Sequence, residues 1–359
     1  MKKKLEINLI IVFLIVAIVI IGGISMKSSQ IKPFLDEQGN IIESSIAEKI
    51  WINVNGYENG IIIRGESLNN PVLLFISGGP GVPEYWLNEY YPNDLEKYFT
   101  VCWWDYYGEG LSYDSHATDE DISLDKLMDD AVAVTDYLKV RFGKEKIYLM
   151  AHSAGTKLAL PLALEHPELY EAYFSMGQVV DNGNARYAEG YKFMLPIFEA
   201  EKNTDAIERM NKLVTMDENG NITAVSTNIN AKWETLLLEA GCATTRDMRS
   251  DAKEIFMPQM KSSCYSFPEK INYWRGKKAC QNSNFANTVT PLSNYNFDIP
   301  VYFFSGYYDY TTPITLVEQL YEEIDAPEKA FFCYKKSAHS PLWEENKQMI
   351  SDILSTCKE

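Results

Sequence analysis

Basic side chains are scarce in this chain of 359 residues. The sequence has 33 lysines and arginines against 50 aspartates and glutamates, which gives a formal net charge of −17. A surface of that sign repels phosphate backbones, and no basic cluster beyond the first few residues offsets it. We therefore expect no nucleic acid partner.

Histidine and cysteine are also sparse, and their spacing excludes the common metal motifs. The 4 histidines and 6 cysteines form no Cys-x-x-Cys pair and no Cys/His cluster of zinc spacing, so we predict no metal site. If the folded domain lies outside the cytoplasm, disulfides become possible. Cys242, Cys264 and Cys280 lie close in sequence and are the first candidates. The sequence commits to no pairing, and buried free thiols are the alternative.

Internal repeats and low-complexity tracts are absent. The 20 glycines and 15 prolines are scattered, and 46% of the residues are hydrophobic. This composition excludes disordered, collagen-like and coiled-coil proteins, and it provides enough apolar material for a large core.

One long apolar run does occur, at the N-terminus. Three lysines at positions 2–4 precede residues 7–24, where Asn8 and the Gly22-Gly23 pair are the only interruptions. A helix of that length spans roughly 27 Å, close to the ~30 Å hydrocarbon core of a bilayer. We predict a single-pass membrane anchor over residues 1–27 and a linker over residues 28–48. The lysines favour a cytoplasmic N-terminus and an extracytoplasmic location for the domain that follows; a cleaved signal peptide is the alternative.

Eight strand-like segments alternate with helical ones through the rest of the chain. The predicted strands are residues 50–54, 60–64, 72–76, 100–104, 147–151, 170–176, 301–305 and 330–334, and the predicted helices include 123–141, 154–165 and 313–324. This alternation is typical of the α/β class, with a mostly parallel sheet covered by helices on both faces.

Residues 181–298 interrupt this pattern. They are rich in Asn, Lys, Glu and Met, are helical in places (204–213 and 231–240) and contain no strong strand run. The insertion is too long for a plain loop and indicates a helical cap over the sheet. The predicted core is then residues 49–180 together with 299–359.

The segment Ala151-His-Ser-Ala-Gly155 follows a predicted strand and opens an Ala/Leu-rich helix. A serine at such a strand–turn–helix elbow is exposed on a strained backbone, so the residues two before and two after it need to be small. Ala151 and Gly155 meet that requirement. The helix start adds a positive dipole end where an oxyanion would form. Ser153 is therefore the candidate nucleophile, although small residues around a serine are common.

Two further side chains follow the last two predicted strands. Asp309 lies in Gly306-Tyr-Tyr-Asp309, and His339 lies in Ala338-His-Ser-Pro341. Taken singly, the aspartate is explained as a helix cap and the histidine as a structural residue. The order Ser, Asp, His, each at the carboxyl edge of a predicted strand, instead predicts a catalytic triad.

The loop Ser77-Gly-Gly-Pro-Gly81 directly follows the third predicted strand. Its glycines allow the backbone to approach a ligand closely. One N–H of this loop and the N–H of Ala154 are then candidates for an oxyanion hole, whereas a simple tight turn is the alternative.

Taken together, these motifs resemble the α/β-hydrolase superfamily, and within it the prolyl aminopeptidase (proline iminopeptidase)-like group. The segment Trp104-Asp105-Tyr-Tyr-Gly108-Glu-Gly110-Leu-Ser112 also matches that group, and the resemblance covers residues 49–359. It implies a mostly parallel eight-stranded sheet with a cap insertion. It also implies Ser153 as nucleophile, His339 as base, Asp309 as its orienting carboxylate, and Gly79 and Ala154 as the oxyanion hole. Neither a metal nor an organic cofactor is required.

The resemblance implies a serine hydrolase that cleaves N-terminal residues from small peptides through an acyl-enzyme, and the apolar run outside it adds the predicted membrane anchor. Three departures loosen the proline specificity: Ser77 replaces a histidine, Tyr107 an arginine and Ala151 a glycine. An aminopeptidase also needs carboxylates for the substrate ammonium. The candidates are Glu199, Glu201, Glu234 and Glu239, with the Trp233-Glu234 pair foremost. An esterase or lipase acting on acyl esters, and a non-catalytic hydrolase-fold interaction domain, are the alternatives.

Overall fold

A computed structural model describes residues 29–180, 183–227 and 229–357. Its strands are β1 Ile46–Val54, β2 Tyr57–Gly65, β3 Val72–Ile76, β4 Thr100–Asp105, β5 Ile147–His152, β6 Tyr170–Met176, β7 Val214–Met216, β8 Ile222–Val225, β9 Val301–Gly306 and β10 Lys329–Tyr334. Its α-helices are α1 Leu87–Tyr90, α2 Leu95–Tyr98, α3 Leu124–Phe142, α4 Thr156–Glu165, α5 Ala185–Ala200, α6 Thr204–Asn211, α7 Ile229–Ala240, α8 Met257–Lys261, α9 Phe267–Asn282, α10 Ile314–Glu323, α11 Pro341–Glu344 and α12 Asn346–Thr356.

Eight of these strands form one sheet in the order β1-β2-β4-β3-β5-β6-β9-β10. The β1–β2 and β2–β4 pairs are antiparallel and the remaining pairs are parallel. The predicted mostly parallel sheet is therefore confirmed. The first hairpin turns at Asn55 and Gly56, whose φ angles of 50° and 95° suit the right-handed twist of paired strands.

Alternate residues of the central strands face opposite sides of the sheet. Leu74 and Ile76 of β3 pack with Leu127 of α3 and Leu158 of α4 on one face. Leu73 and Phe75 pack on the other face, in the cluster that contains residues of α11 and α12. Because both faces are covered, β3 is buried along its whole length, as its continuous apolar run predicts.

Most element boundaries agree with the sequence-based predictions, with small shifts. Helix α3 begins after Ser123 and ends at Gly143, whose φ of 61° is the left-handed conformation that stops a helix. Strand β1 begins at Ile46, four residues before the predicted start. The helix after Ser153 begins only at Thr156, because residues 153–155 form a turn of 3₁₀ helix.

Between β6 and β9 the chain forms five of the helices, α5–α9, and one short hairpin. Trp233, Leu237, Met194 and Phe198 are buried in a separate apolar cluster there. The hairpin of β7 and β8 was not predicted from the sequence; it turns at Asp217, whose carboxylate accepts the N–H groups of Asn219 and Asn221. The division into core and cap domains stays a prediction.

Within the described ranges, no helix has both the length and the apolar character that a bilayer crossing requires. The predicted anchor, residues 1–27, lies outside the described residues. All six cysteines are free thiols in this structure.

Candidate active site

Ser153 lies directly after β5, at the carboxyl edge of the sheet. Its φ is 52°, a conformation that a residue with a side chain seldom adopts and that costs roughly 1–3 kcal/mol. The tight packing around it explains the small neighbours: a Cβ on Gly155 would lie 2.5 Å from the Ser77 carbonyl oxygen. Ser153 itself is only half-buried, whereas Ala151 and Gly155 are buried. The structure therefore has the strained, accessible turn that the sequence predicts.

Asp309 and His339 are brought together from the loops after β9 and β10. Asp309 Oδ2 lies 2.8 Å from His339 Nδ1, and both side chains are almost fully buried. Because a buried carboxylate accepts, Nδ1 carries the proton of the neutral ring and Nε2 has the free lone pair. Nε2 is buried and has no hydrogen-bond partner among the described residues, so no bond to Ser153 Oγ is formed in this structure.

Thr312 fixes the orientation of the Asp309 carboxylate. Its N–H donates to Asp309 Oδ1 at 2.9 Å, and its hydroxyl donates to Oδ2 at 2.8 Å. The carboxylate thus receives three hydrogen bonds, which fix its plane toward His339. Sequence reasoning considered a helix cap only for Asp309 itself and missed this contact, although the spacing of three residues after Asp309 is typical of such a turn.

Two polar side chains, those of Glu344 and His152, hydrogen-bond to the main chain around His339. Glu344 accepts the N–H of Ala338 at 2.9 Å and of Ser340 at 3.4 Å. Burial raises the pKa of Glu344 to about 7, against the lowering effect of these backbone hydrogen bonds. On the other side, the His339 carbonyl oxygen lies 2.8 Å from Nε2 of His152. Neither contact was predicted from the sequence.

The loop Gly78–Gly81 lies against Ser153. A Cβ on Gly78 would come 2.8 Å from the Ser153 Cβ, so only glycine allows this approach. Gly79 has a φ of 112°, which also requires glycine. The structure thus brings the loop of Gly79 beside the turn of Ala154, as an oxyanion hole would need. Ser77, in place of the usual histidine, accepts the N–H of Glu84 with its hydroxyl.

The Trp104–Ser112 motif folds the neighbouring loop. Asp105 Oδ2 accepts the N–H of Leu111 at 2.8 Å, and burial raises the pKa of Asp105 to about 7. Tyr107 packs its ring on Tyr57, with centroids 4.5 Å apart. In the described residues this motif serves to shape the loop, with no contact to the Asp309–His339 pair.

The four candidate carboxylates for a substrate ammonium differ in their surroundings. Glu199 and Glu201 are exposed, and Glu239 is paired with Arg209 at 2.6 Å. Glu234 is half-buried, and burial raises its pKa against the smaller lowering effects of the charge of Arg186 and then that of His339. Of the four, Glu234 is thus the carboxylate within electrostatic range of His339.

Trp233, the neighbour of Glu234, lies in the apolar core of the inserted segment. Its ring packs edge-on against Tyr187 with centroids 5.3 Å apart, and a Cβ on Gly190 would lie 3.0 Å from it. These contacts account for the tryptophan as a packing residue. Its predicted part in substrate binding stays a prediction.

The strand order and the polar site at the carboxyl edge of the sheet define a hydrolase of the α/β class. Residues 71–346 match the α/β hydrolase fold family, and the chain belongs to that family. The predicted superfamily is thereby confirmed.

Two curated relatives place the chain near the predicted group. It is 29% identical over 308 residues to "Probable aminopeptidase YbaC" of Bacillus subtilis, covering 84% of this chain and 94% of that protein. It is 23% identical over 323 residues to the proline iminopeptidase of Saccharolobus solfataricus, covering 89% and 94%. The resemblance to the prolyl aminopeptidase-like group is thus confirmed.

Solved structures of low sequence identity share the fold. A 2-hydroxy-6-oxo-6-phenylhexa-2,4-dienoate hydrolase from Rhodococcus sp. strain RHA1 superposes with a TM-score of 0.53 at 18% identity, covering 87% of this chain and 98% of that one. A serine hydrolase involved in carbazole degradation gives 0.55 at 15% identity, covering 86% and 98%. At these identities the likeness concerns the fold alone.

Proposed function

We propose that this hydrolase is an aminopeptidase that works through an acyl-enzyme on Ser153. The observation that carries the proposal is the 2.8 Å contact between Asp309 Oδ2 and His339 Nδ1, beside an elbow serine with a φ of 52°. This contact leaves Nε2 of the histidine with a free lone pair. A ring in that state is what removes a proton from a serine hydroxyl.

The residues divide the reaction between them as follows. Nε2 of His339 takes the proton of Ser153 as Oγ forms a bond to the substrate carbonyl carbon. The N–H groups of Gly79 and Ala154 donate to the oxyanion, a contribution of ~3 kcal/mol per donor at comparable sites. The imidazolium, stabilised by Asp309, then protonates the leaving amine as the C–N bond breaks.

The second half of the reaction uses the same groups. Nε2 takes a proton from water, whose oxygen attacks the acyl carbon, and the imidazolium returns that proton to Ser153 Oγ as the ester bond breaks. The products are a free amino acid and a shortened peptide.

Glu234 supports an amine-bearing substrate. Burial raises its pKa above the ordinary value, against the smaller lowering effects of the charges of Arg186 and His339. A bound ammonium at this position would lower the pKa, since an opposite charge favours the ionised form. The names of the two curated relatives, an aminopeptidase and a proline iminopeptidase, agree with this substrate class.

Attachment to a membrane through residues 7–24 is part of the same proposal. It rests on the apolar run and the preceding lysines of the sequence. Fractionation of cells that express the full chain tests it: the protein should stay in the membrane pellet after an alkaline carbonate wash. Release by the wash would contradict the anchor and leave the hydrolase proposal unaffected.

The decisive experiment for the reaction combines a covalent probe with a substrate panel. A fluorophosphonate should label the wild-type protein and leave Ser153→Ala unlabelled, with both proteins equally folded by circular dichroism. Aminoacyl amides and p-nitrophenyl esters should then separate peptidase from esterase by kcat/KM. Unchanged turnover in Ser153→Ala would discard the mechanism, and a preference for esters without an amino group would discard the aminopeptidase assignment.

A further inference from the structure

His152, the residue before the proposed nucleophile, has both ring nitrogens engaged. Nδ1 lies 2.6 Å from Glu84 Oε1, and Nε2 lies 2.8 Å from the His339 carbonyl oxygen. The ring is 3% exposed and packs at 4.6 Å between centroids against the ring of His339 itself. This histidine therefore links the turn of Ser153 to the loop of His339.

The partner of each ring nitrogen determines where the protons of His152 lie. A backbone carbonyl oxygen only accepts, so Nε2 of His152 carries a hydrogen and donates it to His339. The contact between Nδ1 and Glu84 Oε1 needs a second proton, which is carried either by Nδ1 or by the Glu84 carboxyl group. Burial lowers the pKa of His152, but the charge and hydrogen bond of Glu84 and the His339 carbonyl outweigh it and raise the pKa above its ordinary value.

Among the described residues, the Glu84 side chain has a hydrogen bond to His152 alone. Its Oε2 is buried without a hydrogen-bond partner, and its Oε1 is the atom that contacts His152. A carboxylate buried with one hydrogen-bond partner depends on that partner, because a buried charge that is left unpaired costs several kcal/mol. A Cβ on Gly78 would lie 3.1 Å from the His152 carbonyl oxygen and 3.4 Å from Glu84 Oε1, so the pair lies against the Gly78–Gly81 loop.

We propose that His152, oriented by Glu84, is a positioning residue that sets the distance between the Ser153 turn and the His339 base through its hydrogen bond to the His339 carbonyl. The inference rests on the proposed function. It concerns the reactivity of Ser153 and leaves substrate affinity unchanged, since neither residue is placed against the substrate.

Two amide substitutions separate the two bonds of the ring. In His152→Gln the side-chain N–H lies near the position of Nε2, so the bond to the His339 carbonyl is kept. In His152→Asn the N–H lies near the position of Nδ1, so only the bond to Glu84 is kept. His116→Gln is the matched control, because His116 is exposed and its Nδ1 also contacts a carboxylate, that of Asp114, at 3.0 Å.

The experiment measures the second-order rate of fluorophosphonate labelling, together with kcat and KM on the best substrate of the panel. His152→Asn should lose about 100-fold in labelling rate and in kcat, with KM within about threefold, as expected for a misplaced base. His152→Gln should retain activity within about tenfold of wild type. His116→Gln should match wild type throughout, and thermal midpoints should show that every variant is folded.

The outcomes separate this inference from the proposed function. Wild-type labelling of His152→Asn, or equal losses in the Gln and Asn variants, would overturn the positioning role while Ser153 remains the labelled residue. Absence of labelling in the wild-type protein itself would instead overturn the proposed function, and this inference with it.

Discussion

Gly177 lies directly against the imidazole ring of His339. A Cβ at this position would come 2.8 Å from Cε1 and 2.9 Å from Nδ1 of the ring, and the φ of Gly177 is 57°. The residue after β6 thus forms the back wall for the base that follows β10. A side chain of any size here has to push the ring away from Asp309.

The first prediction follows from that contact. Gly177→Ala should displace the His339 ring and lower kcat at least tenfold, because small shifts of a catalytic group are costly. Gly143→Ala is the matched control: its φ is 61°, yet nothing lies within 4 Å of its added Cβ. Gly143→Ala should lose about 1 kcal/mol of stability through its positive φ, Gly177→Ala should lose more because of the added clash, and only Gly177→Ala should lose activity. Equal kcat values in the two variants would show that Gly177 does not hold the His339 ring in place.

The second prediction concerns the aspartate. Asp309→Asn should lower kcat about 10³- to 10⁴-fold, because the amide favours the wrong tautomer of His339 and does not stabilise the imidazolium. KM should change little, since Asp309 is fully buried and does not reach the substrate. The exposed Asp325, between β9 and β10, gives the control Asp325→Asn, which should retain wild-type kinetics. Full activity of Asp309→Asn would refute the assigned base.

The third prediction tests the ammonium site. Glu234→Gln should raise KM about 10- to 100-fold for substrates with a free α-amino group, because a hydrogen bond to a charged group contributes ~1.5–3 kcal/mol. N-acetylated amides and simple esters should be unaffected. Glu239→Gln is the control, since Glu239 pairs with Arg209 on the same segment. A uniform loss on all substrates would point to a role for Glu234 in folding or chemistry.

The fourth prediction concerns stability and pH. Burial raises the pKa of Asp130 on α3 to about 6, although the hydrogen bond from Asn55 lowers it. The folded protein therefore binds a proton more tightly than the unfolded chain. The contribution of Asp130 to the free energy of unfolding is fully present below pH ~4, falls by up to ~3 kcal/mol as the pH rises to about 6, and stays lost above that range.

Thermal melts at pH 4.5 and pH 7.5 check the sign. Asp130→Asn should be more stable than wild type at pH 7.5, and this advantage should shrink at pH 4.5. Asp125→Asn, an exposed position on the same helix, should shift both melts alike. An advantage of Asp130→Asn that is larger at the lower pH would contradict the assigned shift.

The sequence predicted the sheet well because its central strands are continuous apolar runs. Val72–Ile76 and Tyr170–Met176 agree with the predicted bounds, since burial on both faces leaves few alternatives for such segments. The helix after Ser153 was placed two residues too early, because the 3₁₀ turn takes Ala154 and Gly155. The strained serine was predicted, but the length of the turn depends on tertiary packing against Ser77 and leaves no mark in local propensity.

The candidate site was only partly accessible to sequence reasoning. Asp309 and His339 could be named because each follows a strand directly, so that the shared sheet edge brings them together. Glu84, Thr312, Glu344 and Gly177 were missed as neighbours of the base. Their contacts to His152, Asp309 and the His339 loop depend on the path of loops, which no periodic pattern reports.

Helix α9 touches the Gly78–Gly81 loop through glycines on both sides. A Cβ on Gly81 would lie 3.0 Å from the Gly276 carbonyl oxygen, and one on Gly276 would lie 2.7 Å from that of Gly108. On its other side, Lys49 of β1 holds Glu269 of the same helix at 2.8 Å. Because of these contacts, α9 cannot move outward without displacing the Gly78–Gly81 loop, which holds one of the proposed oxyanion donors.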